Sequence, residues 1–215
     1  MRALIEPARA GVHAATRVVL LPAAYTAPED FVREGFVAAL RARSLEIDLV
    51  LAALEFGDVT DRSVLGEVER ELVAPARAAG AALWLGGISL GGYVALACAE
   101  RLRGQLAGLC LFAPYLGSYI VTSEVERAGL GRWQPGTLGA EDDERRVWRF
   151  IQTLQTGTLP VHLGLGRDDR FGERHRLLAE ALRPGDVDVV PGGHDWPTWR
   201  QLWENFLDAR FHPRA

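Results

Sequence analysis

The sequence predicts an α/β fold with a mostly parallel sheet that is covered by helices on both faces. Short apolar runs alternate with helical patterns along the whole chain, which is typical of parallel strands joined by crossover helices. These runs are continuous rather than alternating, as expected for strands buried on both faces. With 215 residues the chain is long enough for one substantial core, so we expect a single domain over residues 1–215.

The first elements follow from apolar runs and helical spacing. An apolar run predicts a strand over residues 17–21, and a second run predicts a strand over 47–51. Between them, Pro28 and the acidic residues after it suit the first turn of a helix over residues 28–43. Residues 62–79 also have helical spacing, but Pro75 must kink or end that helix.

The second half of the chain repeats the strand–helix alternation. A buried strand over residues 81–85 precedes a buried helix over 93–99. The remaining predicted strands cover residues 106–112, 160–165 and 187–190, and the remaining predicted helices cover 142–154, 171–182 and 195–209.

One interval breaks this rhythm. Residues 114–159 contain no predicted strand and are far longer than a usual loop. They form either a small lid beside a functional site or an ordinary crossover helix on a long connection, and the sequence leaves both open.

Residues 87–92, Gly-Ile-Ser-Leu-Gly-Gly, place Ser89 at a strand-to-helix turn. Glycines two residues before and after a serine fit a nucleophile elbow, in which a strained backbone exposes the hydroxyl above the sheet. Larger side chains at those two positions would collide across the turn. The alternative is a glycine-rich turn that only packs a helix tightly on a strand.

Two later loops provide a possible base and a possible orienting acid for this serine. Residues 164–171, Gly-Leu-Gly-Arg-Asp-Asp-Arg-Phe, put carboxylates just past one strand. Residues 191–196, Pro-Gly-Gly-His-Asp-Trp, put His194 just past the next. Because the carboxyl ends of parallel strands share one edge of a sheet, these loops should meet Ser89 in the chain order Ser, Asp, His.

Together, these three motifs resemble the active-site motifs of the α/β-hydrolase family, and the resemblance spans nearly the whole chain. It implies that Ser89 is the nucleophile, His194 the general base and acid, and Asp169 the carboxylate that orients His194. Asp169 is preferred to Asp168 because the acid of the family usually lies three residues after the strand-end glycine, here Gly166.

The resemblance also implies an oxyanion hole of backbone N–H groups. One donor would be Leu90, the residue after the nucleophile. The second would come from the loop after the first clear strand, with Ala24 preferred and Tyr25 as the alternative. This loop departs from the family, since Pro22 and Ala23 stand where many members carry His-Gly. The short segment before residue 17 implies that the usual opening hairpin is reduced to one strand.

Aromatic residues offer candidates for the walls of a substrate cleft. Tyr25, Tyr115 and Trp196 directly follow predicted strand ends, so each could line the cleft or pack elsewhere. By contrast, Trp199 and Trp203 recur at helical spacing in the last helix and are predicted to be core residues.

Composition excludes several classes of function. A net charge of −4 argues against nucleic acid as a partner, and no apolar run is long enough for a membrane span. All 24 cationic residues are arginine, which excludes Schiff-base chemistry on a lysine. No cysteine or histidine cluster suggests a metal, no cofactor is expected, and a cytoplasmic, bacterial origin is the default expectation.

We therefore expect a serine hydrolase that cleaves a small-molecule carboxylic ester or thioester through an acyl-serine intermediate. The alternatives are an amide or peptide hydrolase with the same three residues, and a non-catalytic member of the fold that binds a small molecule or a partner protein.

Overall fold

The predicted architecture is confirmed by the computed structural model, which describes residues 1–55 and 63–211. Seven strands form one sheet in the order β1-β3-β2-β4-β5-β6-β7. The strands are β1 (Ala3–Glu6), β2 (Thr16–Leu21), β3 (Ile47–Ala52), β4 (Ala82–Ile88), β5 (Gly108–Phe112), β6 (Val161–Gly166) and β7 (Val187–Val190).

All neighbouring strands are parallel except β1, which pairs antiparallel with the edge of β3. The register aligns the strand ends that matter for the site: Leu21 of β2 lies opposite Gly87 of β4, and Ile88 lies opposite Phe112 of β5. The loops that follow these strands therefore emerge side by side at one edge of the sheet.

Helices cover both faces of the sheet. The described α-helices are α1 (Pro28–Arg33), α2 (Phe36–Ala42), α3 (Ser63–Val68), α4 (Ala74–Ala78), α5 (Leu90–Arg101), α6 (Tyr119–Ala128), α7 (Asp143–Leu154), α8 (Gly172–Ala179) and α9 (Trp196–Phe211). Alternate residues of β2 separate two cores: Val19 and Leu21 pack towards α3–α8, whereas Val18 and Leu20 pack towards α1, α2 and α9. None of these helices combines the length and apolar character that a bilayer span requires.

The predicted single helix over residues 28–43 is wrong, because the chain forms two helices there. Gly35 between them has φ +85°, a left-handed conformation that ends α1 and turns the chain into α2. Phe31 and Phe36 still meet edge to face at 5.1 Å, so both helices contribute to the same apolar surface.

The helix predicted over residues 62–79 begins with Arg62, which lies outside the described residues. From Ser63 the chain is helical through α3, a π-helical turn at Glu69–Val73, and α4. Pro75 has no N–H and cannot complete the regular hydrogen-bond pattern of an α-helix. It lies in α4, and the wider π-helical turn comes directly before that helix.

The long interval of residues 114–159 contains two α-helices rather than one. The apolar face of α7, including Trp148 and Ile151, is fully buried against the core, as in an ordinary crossover helix. In contrast, α6 begins with two exposed apolar residues, Tyr119 and Ile120. A lid role for this interval stays a prediction.

Candidate active site

Ser89 lies at the turn between β4 and α5 with φ +49° and ψ −111°, a combination that non-glycine residues rarely adopt. Backbone hydrogen bonds hold it there. The Ser89 N–H donates to the Phe112 carbonyl at 3.0 Å, and the Ser89 carbonyl accepts from the N–H groups of Tyr93 (3.2 Å) and Tyr115 (2.8 Å). The strained serine is thus fixed to both β5 and the loop after it.

The flanking glycines are required by close backbone contacts. A Cβ added to Gly87 would lie 2.6 Å from the Gly91 carbonyl carbon, and one added to Gly91 would lie 2.2 Å from the Leu21 carbonyl oxygen. Both distances are shorter than side chains tolerate, so the steric reason for small residues at these positions is visible here.

His194 joins Ser89 to Asp169. Its Nε2 lies 3.0 Å from Ser89 Oγ, and its Nδ1 lies 2.8 Å from Asp169 Oδ2. A carboxylate can only accept, so Nδ1 carries the proton and Nε2 is left to accept the serine hydroxyl. The Asp169 side chain is fully buried and that of His194 is 10% exposed.

The two adjacent aspartates have different partners. Asp169 Oδ1 accepts a 2.8 Å hydrogen bond from the Phe171 N–H, while the exposed Asp168 accepts a long 3.4 Å bond from the Gly192 N–H. Burial raises the pKa of the Asp169 carboxyl, but the hydrogen bonds from His194 and Phe171 outweigh burial and leave the pKa below its usual range. Asp169 therefore stays ionised opposite the imidazole.

Aromatic rings hold the imidazole from two sides. Phe171 and Trp199 each meet the His194 ring nearly edge to face, with centroids 5.1 Å away. Trp199 is buried, as predicted for a core residue, but it also restrains the histidine. Sequence reasoning missed both contacts; the only available signal was the position of Phe171 two residues after Asp169.

His175 was also missed. It lies on the predicted helix of charged residues, yet it is buried, and its Nε2 donates to the Pro114 carbonyl at 3.1 Å. This bond connects α8 to the loop whose Tyr115 N–H binds the Ser89 carbonyl.

The predicted oxyanion donors lie at the junction of β2 and α5. Leu90 is the first residue of α5, where backbone N–H groups have no partner within the helix. The close approach of Gly91 to the Leu21 and Pro22 carbonyls brings the loop after β2 against this helix end. In that loop, Thr26 bonds back to the Ala23 carbonyl and Tyr25 has φ +61°. Ala24, between Ala23 and Tyr25, stays the predicted second donor.

The predicted cleft residues are placed differently from one another. Tyr115 is half-buried and stacks edge to face on Tyr93 at 5.7 Å, next to the elbow. Tyr25 is 91% exposed. The Trp196 ring lies among aromatic neighbours, at 5.6 Å from Phe31 and 5.9 Å from Phe36. Contact of any of the three with substrate stays a prediction.

In the described part of the chain, no group of three or more His, Cys, Asp or Glu side chains is placed to hold a metal ion. Both cysteines, Cys98 and Cys110, are buried and unpaired. The groups that meet at this site are the serine hydroxyl, the imidazole, the Asp169 carboxylate and backbone N–H groups.

One family model matches more than half of the chain. The model of the Esterase family, described as "Putative esterase", matches residues 72–207. No curated protein is significantly similar to the chain.

Solved structures share the fold at low sequence identity. An S-formylglutathione hydrolase from Agrobacterium tumefaciens is 16% identical with a TM-score of 0.64, over 96% of this chain and 87% of that one. Est1E from Butyrivibrio proteoclasticus, in a structure with bound ferulic acid, is 14% identical with a TM-score of 0.61, over 96% and 93%. FphF, a fluorophosphonate-binding serine hydrolase from Staphylococcus aureus, is 10% identical with a TM-score of 0.60, over 93% and 85%.

Proposed function

Because this chain belongs to the esterase family of α/β-hydrolase enzymes, we propose that it cleaves a small carboxylic ester or thioester through an acyl intermediate on Ser89. The observation that carries the proposal is the continuous hydrogen-bonded path from Ser89 Oγ through both nitrogens of His194 to the buried Asp169 carboxylate. Ester and thioester are both retained because one structural neighbour is named an S-formylglutathione hydrolase and another is described with ferulic acid bound.

Acylation begins when Ser89 Oγ attacks the carbonyl carbon and its proton passes to His194 Nε2. The negative charge on the carbonyl oxygen is stabilised by the N–H groups of Leu90 and Ala24. The bond to the leaving oxygen or sulfur then breaks as His194 returns the proton to that atom. Asp169 holds the imidazole in the tautomer that both transfers need.

Deacylation repeats these steps with water. His194 removes a proton from a water molecule, whose oxygen attacks the acyl carbon. The bond to Ser89 Oγ breaks, the proton returns to the serine, and a carboxylic acid leaves. The net reaction converts the ester or thioester and one water molecule into a carboxylic acid and an alcohol or thiol.

The direct test is labelling with a fluorophosphonate, which reacts with an activated serine. Ser89→Ala should lose the label and at least ~10³-fold of the turnover of a simple ester, because the covalent route is gone. Ser118→Ala is the matched control: this serine bonds Glu144 and should label like the wild type. Wild-type labelling of Ser89→Ala would refute the proposal. If the label is lost as expected, the relative turnover of a matched ester, thioester and amide shows which of these bonds the enzyme cleaves best.

A further inference from the structure

A cleft of about 240 Å³ lies next to the candidate active site, between α6 and the start of α8. Its lining includes Tyr119, Glu126, Arg170, Phe171, Glu173 and Arg174. Phe171 belongs to both places, since it lines this cleft and its ring contacts the His194 ring. The cleft and the imidazole therefore have Phe171 as a common neighbour.

Two arginines in this cleft rest on aromatic rings. The guanidinium carbon of Arg170 lies 4.9 Å from the centroid of Phe171, and that of Arg174 lies 5.8 Å from the centroid of Tyr119. Stacking of this kind holds a guanidinium in place while its N–H edges stay available to an acceptor. Among the described residues, neither arginine has a carboxylate partner within salt-bridge distance, unlike Arg176 on the same helix.

The charge balance around the cleft is positive when Arg176, the ion-pair partner of Glu173, is counted with the lining residues. Glu173 also lines it, but its carboxylate pairs with Arg176 at 3.7 Å. Glu126 supplies one negative charge against the two of Arg170 and Arg174. The net excess of one positive charge matches a ligand that carries one carboxylate.

The position of the cleft identifies which part of a substrate would reach it. His194 returns its proton to the leaving atom, so the leaving group lies on the histidine side of the scissile bond. A leaving group that extends past the imidazole towards Phe171 would reach Arg170, whose guanidinium lies on that ring.

We propose that the cleft is a leaving-group subsite, in which Arg170 and Arg174 bind a carboxylate on the alcohol or thiol part of the substrate. The proposal rests on the proposed hydrolase function and adds a substrate class to it: esters or thioesters whose leaving group is an anion. These two arginines would determine specificity without taking part in the bond changes.

The kinetic test uses two butyrate esters of the same shape, one of hydroxypropanoate and one of hydroxypropanamide, which differ in the charge of the leaving group. At low ionic strength, kcat/KM should be about tenfold higher for the carboxylate ester, and the preference should weaken as salt screens the charges. Arg170→Gln and Arg174→Gln should each reduce this preference, measured as the ratio of kcat/KM for the carboxylate ester to kcat/KM for the amide ester. Glu126→Gln should increase it.

Two controls make the result specific. Arg183→Gln removes the same charge from an exposed arginine that pairs with Asp186 outside the cleft, and it should keep the preference. Monoethyl succinate carries its carboxylate on the acyl side, so Arg174→Gln should not lower its kcat/KM relative to that of the amide ester. Equal rates for the two butyrates in the wild type, or a preference that survives in the double arginine variant, would overturn the subsite.

A binding measurement separates this inference from the proposed function. Titration calorimetry with the inactive Ser89→Ala variant should show tighter binding of the carboxylate ester than of the amide ester, and replacing both Arg170 and Arg174 by Gln in that variant should abolish the difference. If wild type hydrolyses neither ester but this difference is found, the proposed function fails and only carboxylate binding by the cleft is supported. If both esters are hydrolysed and no difference is found, the subsite fails alone.

Discussion

Asp168 and Asp169 are chemically identical neighbours that the structure places in different surroundings. The Asp169 carboxylate is buried against His194 and the Phe171 N–H, whereas Asp168 is exposed beside Gly192. If Asp169 orients the imidazole, Asp169→Asn should lower ester turnover by about 10⁴-fold, because the amide favours the wrong imidazole tautomer. Asp168→Asn should leave turnover nearly unchanged, since it loses one long, exposed hydrogen bond.

Both asparagine variants keep the size of the side chain, so circular dichroism and the thermal midpoint can confirm that each is folded before kcat/KM is compared. A severe loss in Asp168→Asn together with a mild loss in Asp169→Asn would show that Asp168, and not Asp169, orients the imidazole.

Individual site residues differed in how visible they were from sequence. The resemblance to the α/β-hydrolase motifs favoured Asp169, because the acid of that family usually lies three residues after the strand-end glycine, here Gly166. His175 could not be recognised, since its burial depends on the Pro114 carbonyl, 61 residues away. The arginines of the leaving-group subsite were equally hidden, because Arg174 meets Tyr119 only where α6 and α8 come together.

The close contact of Gly91 with the end of β2 allows a prediction about the whole of α5. Gly91→Ala would place a Cβ 2.2 Å from the Leu21 carbonyl oxygen, so α5 must move away from β2. We expect a loss of about 1–3 kcal/mol in the free energy of unfolding, as for other overpacked sites. Turnover should also fall, because the same shift displaces the Leu90 N–H from its position beside Ser89.

Gly66→Ala is the matched control for this measurement. Gly66 lies inside α3, and a Cβ there would meet no atom within 4 Å. Alanine should stabilise the helix by about 0.5–1 kcal/mol, so denaturant midpoints of the two variants should move in opposite directions. A Gly91→Ala variant as stable and active as wild type would refute the steric role of the elbow glycines.

Apolar periodicity predicts that a segment is helical, but it does not always show where a helix ends. Residues 28–43 keep one apolar face across the break, so the pattern alone does not reveal that α1 ends at Gly35. Pro75 did reveal a disturbance, because a missing N–H is a property of the residue itself.

At the scale of the whole molecule, His162 links stability to pH. It lies in β6 beside the Phe112 and Phe206 rings, and its buried Nε2 has no partner among the described groups. Burial lowers the pKa of His162 to about 4, with a smaller contribution from Arg210 in the same direction. In the unfolded chain the His162 imidazole becomes protonated as the pH falls below about 6.5, whereas in the folded protein it becomes protonated only near pH 4.

Stability contributed by neutral His162 is thus complete above pH 6.5 and is lost progressively towards pH 4, by about 3 kcal/mol in all. His162→Leu should flatten this part of the curve when urea midpoints are measured from pH 8 to pH 4. At pH 8 the difference in urea midpoint between wild type and His162→Leu reports packing alone, because His162 is neutral there in both the folded and the unfolded state. An unchanged slope in His162→Leu would exclude His162 as the cause.

The sequence by itself determined the α/β class, most strand positions and the three loops that meet at the candidate site. It could do so because burial on both faces makes parallel strands continuous apolar runs, and because their carboxyl ends share an edge wherever each strand lies. The order Ser89, Asp169, His194 along the chain therefore predicts that these three residues meet at one edge of the sheet.

Tertiary structure alone decided the strand order, the break at Gly35, the rings around His194 and the arginine cleft. Each depends on contacts between segments that are distant in sequence, such as β6 with β7 or α6 with α8. Local patterns record which residues are buried but not what buries them, since many partners satisfy the same apolar or charged side chain. That choice is made when the helices pack on the sheet, and it determines which substrate the shared strand edge can accept.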